Sequence, residues 1–426
     1  MKKVTFAIMG VGNRGMAYAQ KQRKYPQDME ITAIADPRPV RLEAANQFLK
    51  LPEERLFHSA EELLQQERLA DVMIVATQDS QHHEHAIAAL KKGYHLLLEK
   101  PISNNLQACR EIAAAAKQYD RKVVVCHVLR YTVFYQQIKK LIDAGVIGDV
   151  MNLHMVEMVG YYHIAHSFVR GNWHKAAESS PMILAKCCHD MDLLLWLSGK
   201  RAKAVSSFGA LTHFTRENCP EGAKERCTDG CQVDCPYNAP NFYLSRIPGW
   251  PANILHPEPT RENILEALRT TDYGRCVYKM DNDVVDHQSL AIQLEDDVTV
   301  SFTMSGFSYH QDREINIMGT KGNIWGRFRD NKLYVGVYGK EVREIDVSKL
   351  CDDFSGHGGG DGRIIYDTIC LIRGDDFDDA SITTIERSLE SHELAFAAEA
   401  SRVRGGERIS MDVFRGQSEV GREEVL

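Results

Sequence analysis

Apolar residues in the first 126 positions come in short unbroken runs rather than in alternation. The runs 4–9, 31–35, 72–76, 94–98 and 123–126 read as strands buried on both faces. Between them, apolar positions at helical spacing follow Gly15 and recur over 40–48, 83–91 and 106–117. Strand and helix in alternation predict a parallel sheet covered on both sides, so residues 1–126 are expected to form a doubly wound α/β domain.

Beyond Val128 the rhythm changes. A helix through 138–142 and a strand over 151–158 lead through irregular sequence to an apolar helix over 182–197. Segments at 290–294, 298–304, 314–318, 332–338 and 342–347 then read as strands joined by turns. Strands in such succession predict an antiparallel sheet, so 127–426 is expected to be an α+β domain closed by a helix over 382–403. A stretch rich in Pro, Gly, Cys and Asn marks an insertion at about 211–260. Neither an internal repeat nor a low-complexity tract is present.

Composition narrows the function. At 426 residues and 44% hydrophobic, the chain suffices for two cores. A net charge of -8 and the lack of any Lys/Arg run disfavour nucleic acid as partner. The start, MKKVTFAIMGVG, has too short an apolar run for a signal peptide, and no stretch reaches the roughly 18 apolar residues of a membrane span. A cytoplasmic protein without membrane contact is expected. Eleven cysteines spread along the chain do not form the framework of a small secreted domain.

The most informative motif is Gly10-Val11-Gly12-Asn13-Arg14-Gly15, placed directly after a strand and opening a helix. There the first glycine permits a tight turn, the second lets backbone approach a pyrophosphate, and the third allows close packing. The helix N-terminus adds free amides and a positive dipole end. Asp36 ends the second strand, where a carboxylate accepts from ribose hydroxyls and repels a 2'-phosphate. The combination indicates a Rossmann domain binding NAD, while Arg38 keeps NADP open.

Further residues carry a family resemblance. Ala76-Thr77 with His82, Gly93-Tyr94-His95 leading into Glu99-Lys100-Pro101, Arg130-Tyr131, Gly145-Val146-Ile147-Gly148, and a helix with His189 and Asp192 resemble the glucose-fructose oxidoreductase, inositol dehydrogenase and MocA family. The likeness covers nearly the whole chain, and Glu-Lys-Pro is its most specific part. It implies an open-faced, mostly antiparallel C-terminal sheet, a homodimer or homotetramer, and hydride transfer at a carbinol of a sugar or polyol. It places Lys100 beside the nicotinamide and makes His189 its catalytic companion. Cofactor contacts are expected at Asn13, Arg14, Thr77, Asp79, His82, Glu99 and His127, besides the glycines, Asp36 and Arg38.

The chain also departs from that pattern. Inositol dehydrogenase-like members carry an Asp one turn before the histidine, and here that position is Ala185. Lys186, at i, i+3 from His189, is the candidate replacement. Substrate contacts are expected from Tyr131, Tyr162, His163, Arg170, Trp173 and Asp192, aromatic faces covering sugar C–H surfaces and polar groups binding hydroxyls. His357, in a glycine-dense turn, is an outer candidate. Cys219, Cys227, Cys231 and Cys235 fall close enough for one structural zinc, though not in standard C-x2-C pairs, and free or occasionally oxidised thiols are the alternative.

Three functions compete. The first is an NAD(P)-dependent dehydrogenase of a sugar, sugar derivative or polyol. The second is redox-assisted glycoside cleavage, in which NAD transiently oxidises the sugar and is regenerated. The third is a non-catalytic dinucleotide sensor.

Overall fold

The computed structural model describes residues 2–351 and 353–416. Six parallel strands form the first sheet: β1 (Val4–Met9), β2 (Met29–Ala35), β3 (Leu56–Phe57), β4 (Val72–Val75), β5 (His95–Leu98) and β6 (Val123–Val125). Their order is β3-β2-β1-β4-β5-β6, so direction of growth reverses between β1 and β4. That reversal opens a crevice at the carboxyl ends of the strands, the place where such sheets bind ligands. Helices α1 (Asn13–Ala19), α2 (Pro39–Leu49), α3 (Ala60–Gln65), α4 (His82–Lys91) and α5 (Leu106–Gln118) connect them. The runs of β1, β4 and β5 are buried almost throughout, as unbroken apolar sequence requires.

The second sheet has nine strands in the order β14-β13-β12-β11-β7-β10-β9-β8-β15. They are β7 (Val150–Met158), β8 (Ala202–Ala210), β9 (His287–Leu294), β10 (Thr299–Ser305), β11 (Asp312–Gly319), β12 (Gly322–Arg327), β13 (Lys332–Val337), β14 (Arg343–Asp346) and β15 (Ile409–Ser410). All neighbours are antiparallel except β7 and β10. In β9 and β10 buried and less buried residues alternate, which sets one face toward the core. Among the described residues no helix is long and apolar enough to cross a membrane.

After β6 the labelled helices are α6 (Val133–Asp143), α7 (Cys188–Ser198), α8 (Gly360–Arg373) and α9 (Ile385–Val403). Two differences from the sequence reading bear on the site. The apolar helix expected over 182–197 is two helices, Met182–Ala185 and α7, broken at Lys186 and Cys187. The two domains also do not divide cleanly at residue 126. Ile364, Ile365 and Ile369 of α8, with Ile382, pack in the same core as Phe6, Ile8 and Ile34. The glycine-dense segment read as a flexible turn leads into α8 at Gly360, and thus carries the chain back onto the first domain.

Candidate active site

The glycine-rich turn is closed by backbone. Gly10 has φ +90°, and a Cβ there would lie 2.4 Å from Ala76 O. A Cβ on Gly15 would lie 2.0 Å from Gly10 O, so β1 and α1 meet at backbone distance. Asp36 is buried at the end of β2 and accepts from the N–H groups of Val11 and Arg38, both at 3.0 Å. Asn13 and Arg38 are exposed beside it.

Several expected cofactor contacts are engaged by the protein itself. Arg14 donates to Glu99 (2.7 Å), to the Tyr18 hydroxyl (2.6 Å) and to both oxygens of Asp361 (2.8 and 3.1 Å). Burial raises the Glu99 carboxyl, but Arg14 and Lys100 outweigh it and the net shift is downward. The rings of His82 and His357 serve similar ends. His82 nitrogens sit 2.8 Å from Pro101 O and 3.2 Å from Thr77 O, and half-exposed His357 lies 3.1 Å from Asp361. Arg14, His82 and His357 thus brace the site through partners within the protein. Thr77 bonds His85, and Asp79 accepts from Ser180 (2.9 Å) and the Trp173 indole (3.2 Å), tying the first domain to the second.

His127 stands apart. It is fully buried, and neither ring nitrogen has a hydrogen-bond partner. Its ring meets His189 and His392 edge-on, at 5.6 and 5.4 Å between centroids. Orphaned buried nitrogens cost free energy unless something satisfies them. The closed turn, the carboxylate of Asp36 and these nitrogens at the head of the crevice fit a nicotinamide dinucleotide.

Lys100, at the end of β5, crosses to the second domain. Its Nζ donates to Ala185 O at 2.8 Å, a carbonyl that an unbroken helix would have used for itself. The same break turns Lys186 toward Glu157, 3.2 Å away. Arg313 is ion-paired with the other oxygen of Glu157 (2.7 Å) and hydrogen-bonds Asp190 (2.7 Å). Glu157 and Arg313 are cross-strand partners on β7 and β11, which is why they meet. Burial pushes the Lys186 ammonium down against the opposing pull of Glu157.

His189, on the first turn of α7, is 7% exposed and its Nδ1 is unpartnered. Burial, reinforced by Lys100 and His127, holds it well below the ordinary imidazole range. His163 is held low in the same way, by burial and then Lys186, and its Nδ1 lies 2.9 Å from Gln311. Two neutral imidazoles and two ammonium groups thus share one region. Trp250 of the insertion meets the His163 ring at 5.0 Å, and Tyr162 packs against Phe242 and beneath Arg246.

Three expected substrate contacts have partners within the protein. Tyr131 bonds the backbone and hydroxyl of Thr383, Asp192 takes two 2.6 Å bonds from Arg130, and Arg170 is spent on Arg275 O and Tyr237 O. All three are buried, so their polar groups are used for cohesion. Among the described residues no three His, Cys, Asp or Glu side chains come together to hold a metal. Cys227, Cys231 and Cys235 instead line a small pocket with Cys276, and all are free thiols. Glu157, Arg313 and Gln311 escaped the sequence reading, since isolated polar residues on or beside strands carry no local pattern.

Comparisons with known proteins agree with this architecture. Residues 4–127 match the oxidoreductase family model with an NAD-binding Rossmann fold, and 135–238 match the GFO/IDH/MocA C-terminal domain. The chain is 23% identical to the putative oxidoreductase YteT of Bacillus subtilis, over 86% of this chain and 88% of that one. It is 27% identical to the 2,7-anhydro-N-acetylneuraminate hydratase of Escherichia coli, over 48% of this chain and 52% of that protein. The WlbA dehydrogenase of Chromobacterium violaceum, solved with NADH and UDP-GlcNAcA, shares the fold at TM-score 0.68 and 18% identity, over 96% of both chains. With parallel and antiparallel sheets in sequence, Lys100 at their junction, and family models that match both parts, the chain belongs to the Gfo/Idh/MocA family of NAD-binding oxidoreductases.

Proposed function

We propose that this protein transfers hydride between NAD and a carbinol carbon of a sugar, sugar derivative or polyol. The observation that carries the reading is Lys100 Nζ, delivered by the first domain to 2.8 Å from Ala185 O, at the approach to the helix that bears His189. NAD, when bound, supplies the hydride acceptor. Lys100 hydrogen-bonds the reacting hydroxyl and passes its proton on. His189, kept neutral by burial, takes that proton. Lys186 orients a neighbouring hydroxyl from the edge of its ion pair with Glu157. Asp36 favours NAD over NADP, since a 2'-phosphate would meet its carboxylate. The rings of Tyr162 and Trp250 suit the C–H face of a sugar.

The test is to incubate the protein with NAD and a panel of free sugars, polyols, sugar acids and aryl glycosides, following NADH and aglycone together. NADH rising with a free carbinol substrate supports the reading, and no NADH with any of them rejects it.

A second reading, redox-assisted elimination or glycoside cleavage, is favoured by one observation. His163 and His189 are both neutral bases within electrostatic reach of Lys100, one more than simple hydride transfer needs. The second would remove the C–H proton acidified by transient oxidation. A relative named as a hydratase of an anhydro-sugar is in keeping with such chemistry. Aglycone release without net NADH is its signature.

A further inference from the structure

The insertion sets one cation beside the wall that holds His163 without giving it an anion. Its helix Ala239–Leu244 starts at Asn238, whose side chain accepts from Asn241 N–H at 3.1 Å. Ala239 and Tyr243 are buried against Ile264 and Leu268. The Tyr243 hydroxyl lies 2.8 Å from His166 Nδ1, which pins the helix to the segment that follows β7. Arg246 comes next. Its N–H donates to Tyr243 O (3.1 Å) and its O accepts from Gly249 N–H (2.7 Å). That turn returns Trp250 to the rings of His163 and His166, at 5.0 and 5.3 Å between centroids.

The Arg246 guanidinium lies over two rings, 4.7 Å from the centroid of Tyr162 and 4.7 Å from that of Phe242. Such stacking fixes the plane of the fork but supplies no acceptor. Among the described residues no carboxylate, carbonyl or hydroxyl accepts from this guanidinium, and its Nε is buried without a partner. A buried donor left unpaired costs free energy, so the fork is set for an acceptor from outside the chain. Tyr162, Phe242, Arg246 and Trp250 are each half-buried, which leaves the group open to a ligand.

The same wall continues into the site of the proposed hydride transfer. His163 Nδ1 lies 2.9 Å from Gln311, where β7 has just ended and β11 is about to begin. On those two strands, Glu157 pairs with Lys186 and Arg313. Arg246 is separated from His163 by one layer of rings, Tyr162 and Trp250. An anion at Arg246 therefore belongs to a part of the substrate away from the reacting carbon. With a net charge of -8 over the chain, attraction of an anion has to be local.

We propose that Arg246, stacked on Tyr162 and Phe242, binds an oxyanion of the substrate, a carboxylate or phosphate carried on the sugar away from the reacting carbinol. Both groups accept from a planar fork in a bidentate manner, and the rings of Tyr162 and Trp250 cover the sugar in between. The inference rests on the reading that a carbohydrate carbinol reacts beside Lys100 and His189, and it makes that carbohydrate an acidic one.

The experiment offers the full chain, with NAD, three matched series: neutral aldohexoses, the corresponding hexuronic acids and the hexose 6-phosphates. NADH formation is followed, and binding to the NADH-loaded protein is measured separately by calorimetry. One charged series is expected to exceed the neutral one in kcat/KM. Arg246→Gln is expected to lower that charged-to-neutral ratio by about tenfold or more, through KM rather than kcat. Arg246→Lys keeps the charge without the fork and should recover only part of the ratio. It also carries the test should Arg246→Gln fail to fold. Preference for the uronic acids identifies a carboxylate, and preference for the phosphates a phosphate. Neutral sugars preferred by the parent, or a ratio unchanged in Arg246→Gln, overturn the anion site, while NADH formation keeps the hydride reading. Binding of a charged sugar that is lost in Arg246→Gln, with no NADH from any sugar, keeps the anion site and overturns the hydride reading. Neither binding nor NADH with any series overturns both.

Discussion

Two clusters of buried charge flank Lys100 and follow opposite plans. On the cofactor side a single guanidinium, Arg14, serves two carboxylates, Glu99 and Asp361, with Tyr18 closing the ring of bonds. On the substrate side two cations, Lys186 and Arg313, share Glu157 and Asp190. Arg313 holds both carboxylates, leaving Lys186 on one edge of Glu157. In the first cluster one guanidinium has two carboxylates to itself, whereas in the second Lys186 pairs with a carboxylate that Arg313 already holds. The contrast separates a brace from a working edge.

The largest effect should come from breaking the brace. Arg14→Ala leaves Glu99 and Asp361 buried without their cation and should lower unfolding free energy by about 3–5 kcal/mol, read by urea titration. A loss under about 1 kcal/mol would make this cluster no brace at all.

Next come the reacting groups. Lys100→Ala and His189→Ala should each lower turnover by about a hundredfold or more, with NAD affinity within a few-fold of the parent, as acid–base groups do. Unchanged turnover rejects their roles. Lys186→Met should show the reverse balance to Arg14→Ala, with turnover reduced about tenfold and unfolding free energy changed by less than about 1 kcal/mol, because Arg313 still holds Glu157. A large stability loss in Lys186→Met would erase the contrast.

A last effect is one of pH. Burial lowers His166 and His392 from the usual range to about 3, with Arg170 and His127 respectively adding to it. As pH falls below about 6.5 the unfolded chain takes up protons that the folded one refuses, so stability is lost by up to about 1.4 kcal/mol per unit for each such histidine. The loss continues until the folded pKa near 3 is reached. Chemical denaturation between pH 7 and 5 reads the slope, and a flat profile rejects buried neutral imidazoles.

Much of the frame was legible from local pattern. Unbroken apolar runs identified β1, β4, β5 and β6 because burial on both faces leaves no polar alternation. The two-residue β3 had no length in which a period shows, and β8 was lost beside the insertion. For the site, the glycines, Asp36 and Lys100 stood in motifs whose spacing has a geometric cause. The protein partners of Arg14, Tyr131, Arg170 and Asp192 were not legible, because sequence names a polar group but not its partner. Their partners, Asp361, Thr383, Arg275 and Arg130, lie between 62 and 347 positions away. Arg313 and Glu157 were missed for the same reason, being brought together by strand register alone.

The return of α8 to the first domain has a consequence for synthesis on the ribosome. Ile364, Ile365 and Ile369 complete the core that holds Phe6 and Ile8, and Asp361 supplies a partner of Arg14. Translation at roughly 5–20 residues per second leaves a wait of about 10–50 s between the emergence of β6 and that of α8. During that interval the nascent Rossmann half exposes apolar surface where α8 will seat. A chain released before residue 360 leaves that surface bare, so an intact carboxyl-terminal third is the condition for a finished cofactor site near the amino terminus.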